Sequence, residues 1–169
     1  MDLVWKDINS STMDLSDYAN YVLKKEELKK NYDEYKPNNK MLKNLETMLL
    51  ENNEKLLIFA MGAEWCHDCS EKLPKMLKIV QDLKNELIDF RVLYGIKTNP
   101  FHKENEPLWH KQHSPPEATN PKFDLQKIPT IYIFNKDGKY IDRIVESPTH
   151  PSLEEDLYHI LKKYLKKAN

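Results

Sequence analysis

Glycine is scarce in this chain, with three in 169 residues. Loops that cradle phosphate need several glycines at fixed spacing, so dinucleotide-binding and P-loop chemistry are excluded. Cysteine is scarcer still: two residues cannot make the disulfide framework of a small secreted scaffold. Charge of one sign is missing as well. The 26 basic and 27 acidic residues leave a net charge of −1, and no global field draws the chain to nucleic acid or an anionic membrane. No apolar stretch reaches the length of a transmembrane helix, and Met1–Asp7 lacks the basic start and apolar core of a signal peptide. A cytoplasmic protein with no nucleic-acid or membrane partner is expected, of a length that suits one domain with an elaboration.

What is present concentrates in Leu56-Leu57-Ile58-Phe59-Ala60-Met61-Gly62-Ala63-Glu64-Trp65-Cys66-His67-Asp68-Cys69. An apolar run breaks at a glycine and then presents both cysteines, three apart, where a helical pattern begins. A buried strand therefore aims a Cys-x-x-Cys pair at a helix start. Unpaired N–H groups and the positive end of the peptide dipole favour a thiolate there, which makes Cys66 the expected nucleophile. In a reducing compartment a structural disulfide is rare, and one closing three residues would restrain little of the unfolded chain. The pair reads as catalytic.

Far along the chain, Lys127-Ile128-Pro129-Thr130-Ile131-Tyr132-Ile133-Phe134 sets a proline at the mouth of a second β-branched, aromatic run, where a central strand ordinarily refuses it. With this segment the sequence resembles the thioredoxin superfamily over roughly residues 38 to 167. Trp65, Cys66 and Cys69 match that family's active-site motif, Pro74 matches the proline that kinks the active-site helix, and Ile128, Pro129 and Thr130 match its cis-proline segment. The resemblance implies a thioredoxin-like α/β fold: a central mixed sheet flanked by helices, with an N-terminal helical extension (1–37), a thioredoxin-like domain (38–169) and a loop insertion near 99–120 before the cis-proline. It implies thiol–disulfide exchange, with Cys66 attacking a substrate disulfide and Cys69 resolving the mixed disulfide. Ile128, Pro129 and Thr130 become the substrate-binding segment, Pro129 and Thr130 offering backbone groups to an extended chain. The partners expected are disulfide-containing proteins and an electron donor such as a thioredoxin reductase. No cofactor beyond the Cys66–Cys69 disulfide is needed, and a monomer is expected.

Residue periodicity supplies the frame. Leu15, Tyr18, Ala19, Val22 and Leu23 predict an amphipathic helix, capped from Ser10-Ser11-Thr12 and reaching about Leu28. It reads as a packing element closing one face of the sheet, with a partner or substrate lip as the alternative. A second helix follows Asn38 or Asn39. Strands are predicted at about 55–61, 88–94, 130–134 and 139–145, the first two joined as a parallel unit by the active-site helix. Asn135-Lys136-Asp137-Gly138 reads as a hairpin turn, and Ser152 opens a closing helix. The insertion carries Phe101, His102, Trp109, His110 and His113 among its prolines; its length marks it as functional or mobile, with Phe101 and Trp109 narrowing the partner range.

Several assignments stay open at this level. Trp65 is expected to pack beside the motif and shield it. His67 and Asp68 modulate the thiols in opposite directions: protonated His67 would stabilise the Cys66 thiolate, ionised Asp68 would oppose it. Ala60 occupies the strand position where the family usually keeps a buried acid for the second cysteine's proton, so Asp68, Glu64 or water must take that role. A zinc site from Cys66, Cys69 and two loop histidines is disfavoured because only His110-x-x-His113 has ligand spacing. The rival to an enzyme is a non-catalytic binding or scaffold module with regulatory thiols.

Overall fold

In the computed structural model, which describes residues 1–169, all six side chains of β1 (Leu56–Met61) are buried. A strand with no exposed side must lie inside a sheet covered on both faces. The sheet runs β2–β1–β3–β4, with β2 (Ile88–Leu93), β3 (Thr130–Phe134) and β4 (Tyr140–Val145). β1 pairs parallel with β2, Ile58 opposite Phe90, and antiparallel with β3, Phe59 opposite Tyr132; β3 and β4 form an antiparallel hairpin. Gly138 takes φ +80° in the turn, where the Asn135 side-chain oxygen accepts from the N–H groups of Asp137 and Lys139. The architecture is therefore α/β, a four-stranded mixed sheet with five helices.

The N-terminal segment makes one isolated bridge at each sheet edge. Val4 bridges Lys139 beside β4, and Met13 exchanges both backbone hydrogen bonds with Val92 of β2, each at 2.9 Å.

Three helices follow the expected pattern. α3 (Asn39–Glu51) is capped by the Asn38 side chain on the Met41 N–H, and α5 (Leu153–Ala168) by Ser152 on the Glu155 N–H. α4 (His67–Asp82) turns Cys69, Leu73, Met76, Leu77, Ile79 and Val80 inward. The buried Glu154 of α5 accepts from the Tyr35 hydroxyl and from the Asn38 N–H, tying α5 to the start of α3.

Two expectations are corrected. The N-terminal helix does not run on to Leu28; it is two helices, α1 (Leu15–Leu23) and α2 (Glu26–Glu34), separated by an extended Lys25. Its cap is Asp14, which exchanges side-chain-to-backbone bonds with Asp17, while Ser10 is engaged elsewhere. Docking explains the break, because α2 turns to lie along α4, where Asn31, Tyr32 and Glu27 find partners.

The connector between β2 and β3, residues 94–129, is no free loop. Phe123, Trp109, Leu125 and Ala118 are buried, and Trp109 donates its indole N–H to the Leu125 carbonyl at 2.8 Å. Phe123 packs against Phe59 and Tyr132 at ring separations of 6.0 and 5.8 Å, and the Tyr132 hydroxyl donates to the Phe123 carbonyl. The connector thus covers the sheet face that carries Phe59 and Tyr132, holding Trp109 in the core rather than at a partner surface. Glu117, 2% exposed, fastens it to the N-terminal segment by accepting from the N–H groups of Asn9 and Ser10 and the Ser10 hydroxyl at 2.7–2.8 Å.

Candidate active site

β1 ends at Met61, and Gly62 carries the chain into the motif. A side chain here has no room: a Cβ would stand 3.0 Å from Cys69 Sγ, 3.1 Å from the Tyr94 ring and 3.2 Å from Leu73. The absent Cβ lets the strand end press directly on the second sulfur.

Cys66 is the N-cap residue of α4, and its Sγ accepts the Cys69 N–H at 3.1 Å. The Cys66 thiol also lies 3.6 Å from the Ile128 carbonyl, its hydrogen-bond acceptor across the Ile128–Pro129 peptide, which is cis. A sulfur in the N-cap position meets the unpaired N–H groups and the positive dipole end directly. The Cys69 thiol, hydrogen-bonded to Cys66, and the N–H groups of Cys69 and Asp68 hold Cys66 below the ordinary cysteine range, against burial and the charge of Asp68. Cys69 moves the other way: the same bond to Cys66 keeps its proton on, and burial adds to the rise. The two free thiols are thus unequal: Cys66 Sγ sits at the N-cap of α4, and Cys69 is fully buried inside the first turn.

Cys66 is 8% exposed, with the cis-peptide segment over it, and Cys69 is fully buried. Trp65, expected as a shield, is 57% exposed, anchored only at its edge by an indole N–H to the Ile96 carbonyl at 2.8 Å. Its ring is held beside the motif with most of its area in water.

Of the cis-peptide trio, the backbone accounts for two members. The Pro129 carbonyl accepts from the Glu146 N–H at 2.7 Å, and Thr130 lies inside β3, paired with Met61 on one side and Val145 on the other. The carbonyl that faces Cys66 belongs to Ile128. His67 is exposed, its Nδ1 3.6 Å from Glu27 on α2, and Asp68 is half-buried beside Cys66.

Sequence reasoning missed the supports that α1 and α2 supply. Pro74 has no N–H for the carbonyl of Ser70 four residues back. The Asn31 side-chain amide of α2 donates to that carbonyl at 2.9 Å, and the Ser70 hydroxyl donates to the His67 carbonyl at 2.7 Å. From α1, the buried Tyr18 shares a 2.8 Å hydrogen bond with Tyr94. Tyr94 was findable: Leu93 pairs with Met61, so the next residue on each strand must lie beside the motif.

The loop histidines stay away from the cysteines' chemistry. His102 Nδ1 contacts the Asn99 carbonyl, and His110 and His113 face each other at 4.4 Å between rings. No three His, Cys, Asp or Glu side chains converge to hold a metal ion. No helix is long and apolar enough to cross a membrane.

No protein-family model matches this chain, and no curated protein matches it in sequence. Among solved structures it is similar to an HIV epitope-scaffold, with 13% identity over 96% of each chain and a TM-score of 0.53. A Fasciola hepatica thioredoxin matches 71% of this chain and 90% of its own length, at 21% identity and a TM-score of 0.37. A Pseudomonas aeruginosa protein of unknown function matches 100% and 95% of the two lengths, at 12% identity and a TM-score of 0.46. The likeness to the scaffold concerns the fold alone. The other two superpose too loosely to add to it.

Proposed function

We propose that this chain is a thioredoxin-like thiol–disulfide oxidoreductase that reduces protein disulfides. One observation carries the reading: Cys66 Sγ caps α4 while the fully buried Cys69 retains its proton, so a nucleophile and a resolving thiol are distinguished in the reduced pair. The Cys66 thiolate attacks one sulfur of a substrate disulfide, forming a mixed disulfide and releasing the other sulfur as a thiolate. Cys69 then attacks Cys66, the substrate leaves as its second thiolate, and two electrons have passed to the substrate. An external dithiol donor, such as a thioredoxin reductase system, returns the Cys66–Cys69 disulfide to two thiols.

Ile128 contributes the carbonyl nearest the reacting sulfur, and Trp65 offers an exposed aromatic face beside it to a substrate chain. His67 and Asp68 set the charge around Cys66 from opposite sides. A cytoplasmic monomer acting on disulfide-containing proteins fits this role. In Cys69→Ser the mixed disulfide has no internal exit, so Cys66 should accumulate covalent protein adducts that dithiothreitol releases. Absence of such adducts in a lysate that contains oxidised protein would reject the enzyme. A second reading, a binding module with regulatory thiols, draws on the 8% exposure of Cys66; it predicts partners that stay bound in dithiothreitol and in Cys66→Ser.

A further inference from the structure

The exchange reaction leaves a problem at the second sulfur. Cys69 is fully buried, and Ala60 leaves no carboxylate on the strand beneath it. Its thiol must nonetheless reach the thiolate form to resolve the mixed disulfide. The groups that face it are few: Cys66 and Asp68 on its own helix, Leu73 one turn on, the Gly62 backbone of the strand end, the Ala63 backbone, which favours the thiolate, and Tyr94 with Tyr18 behind it. Cys69 Sγ and the Tyr94 ring edge flank the same point above Gly62, at 3.0 and 3.1 Å.

We propose that Tyr94, held in place by Tyr18, is a positioning residue for Cys69: its hydroxyl donates a hydrogen bond to the Cys69 sulfur as negative charge develops there. This rests on the disulfide-exchange reading. In the reduced protein the Tyr94 hydroxyl is engaged by Tyr18 at 2.8 Å. With Tyr18 as donor of that bond, the Tyr94 proton is free to turn to the sulfur. Burial is the main force pushing both hydroxyls up, and the nearby Cys69 charge adds to it, so each keeps its proton and serves as a donor rather than a base. The aromatic setting fixes the pair, because Tyr21 stacks on Tyr18 and meets Tyr94 edge-on at 5.3 Å. Tyr94 also lines a cleft of about 400 Å³ with Tyr21, Ala63, Glu64 and Ser70, under the turn between α1 and α2. Cys69 does not itself line that cleft; Tyr94 and Ser70, the chain neighbour of Cys69, do. The step balances as follows: Cys69 S–H gives its proton to solvent, its sulfur bonds to Cys66, the Cys66–substrate bond breaks, and the substrate leaves as a thiolate. Tyr94 keeps its own proton throughout.

The test starts from the reduced full-length chain mixed with 5,5′-dithiobis(2-nitrobenzoate), which places nitrothiobenzoate on Cys66 and frees one coloured thiolate; attack by Cys69 then releases the second, and the rate of that second release is read. Tyr94→Phe should slow that release roughly tenfold near neutral pH, the loss of about one hydrogen bond to a charged group, and move its rise with pH to higher pH. Tyr18→Phe should do the same to a smaller degree. Alkylation of Cys66 should keep its rate in both variants, which a merely loosened fold would not allow. Release within about twofold of the parent in both variants, with an unmoved pH midpoint, overturns the proposal. A second readout separates it from the function itself: in Cys66→Ser, thiolate absorbance reports Cys69 alone, and Tyr94→Phe should raise its midpoint. Equal midpoints overturn the role of Tyr94, whereas a raised midpoint in a chain that forms no mixed disulfide supports it and rejects the exchange reading instead.

Discussion

The segments before α3 and between β2 and β3 both lie outside the four strands, yet they meet the cysteines by different means. The N-terminal segment reaches the motif through side chains: Asn31 on the Ser70 carbonyl, Glu27 beside His67, and Tyr18 on Tyr94 behind Cys69. Apart from Tyr94, which directly follows β2, the connector reaches it through main-chain carbonyls, Ile96 holding Trp65 and Ile128 facing Cys66. A contact made by a side chain is removable by substitution. One made by a carbonyl is not, and it depends on whatever anchors that stretch of backbone. The surroundings of Cys69 should therefore respond to point changes in α1 and α2, and those of Cys66 to changes that unfasten the connector.

The largest effect is expected at the deepest anchor. Trp109→Ala empties a core site and leaves the Leu125 carbonyl without its donor, so stability should fall by about 3–5 kcal/mol. A urea midpoint within experimental error of the parent would show that the connector is not a structural layer. Glu117→Gln comes next, at about 1–3 kcal/mol, since a buried carboxylate with three donors becomes a neutral amide that cannot satisfy them all. Burial opposes ionisation of Glu117, but the Ser10 hydroxyl and the N–H groups of Ser10 and Asn9 outweigh it, and the carboxyl is held below its ordinary range. A carboxyl depressed in the folded state stabilises the fold above its unfolded pKa of about 4.3, and that contribution fades as pH falls through the lower folded value. The parent should thus lose stability on acidification that Glu117→Gln has already lost, and the difference between them should shrink toward low pH. A constant difference would contradict the assignment.

On the other side of the comparison, Asn31→Ala should cost about 1 kcal/mol, the value of one hydrogen bond to the carbonyl orphaned by Pro74. The signature is local: faster hydrogen exchange in the first turns of α4 with α5 unchanged. Uniform loosening of both helices would mean that α2 acts only through bulk packing. Phe101→Ala should be smallest. Its ring is 86% exposed, so stability should stay within about 0.5 kcal/mol. A larger loss would place Phe101 in the packed layer with Trp109.

Much of this frame was legible in the residues. The apolar run Leu56–Met61, the spacing along α4, the Asn38 and Ser152 caps and the Gly138 turn rest on local chemistry, and each element stands where that chemistry puts it. What escaped was non-local. The break at Lys25 carries no glycine or proline, because docking of α2 on α4 imposes it. The connector's length marks it as functional or mobile, and its buried Trp109, Phe123 and Leu125 form no sustained helical or strand pattern that would reveal a packed layer. The Tyr18–Tyr94 bond spans 76 positions, and only the sheet register brings its partners to the motif.

The central claim is that Cys66 ionises ahead of Cys69 because it caps α4. The most direct measurement is the rate of iodoacetamide modification of the reduced protein against pH, with each site read by mass spectrometry. Cys66 should be modified first, with a midpoint below the value of about 8.5 for a free cysteine, while Cys69 stays unmodified through the same range. A Cys66 midpoint at or above that value, or modification of the two sulfurs in parallel, would contradict it.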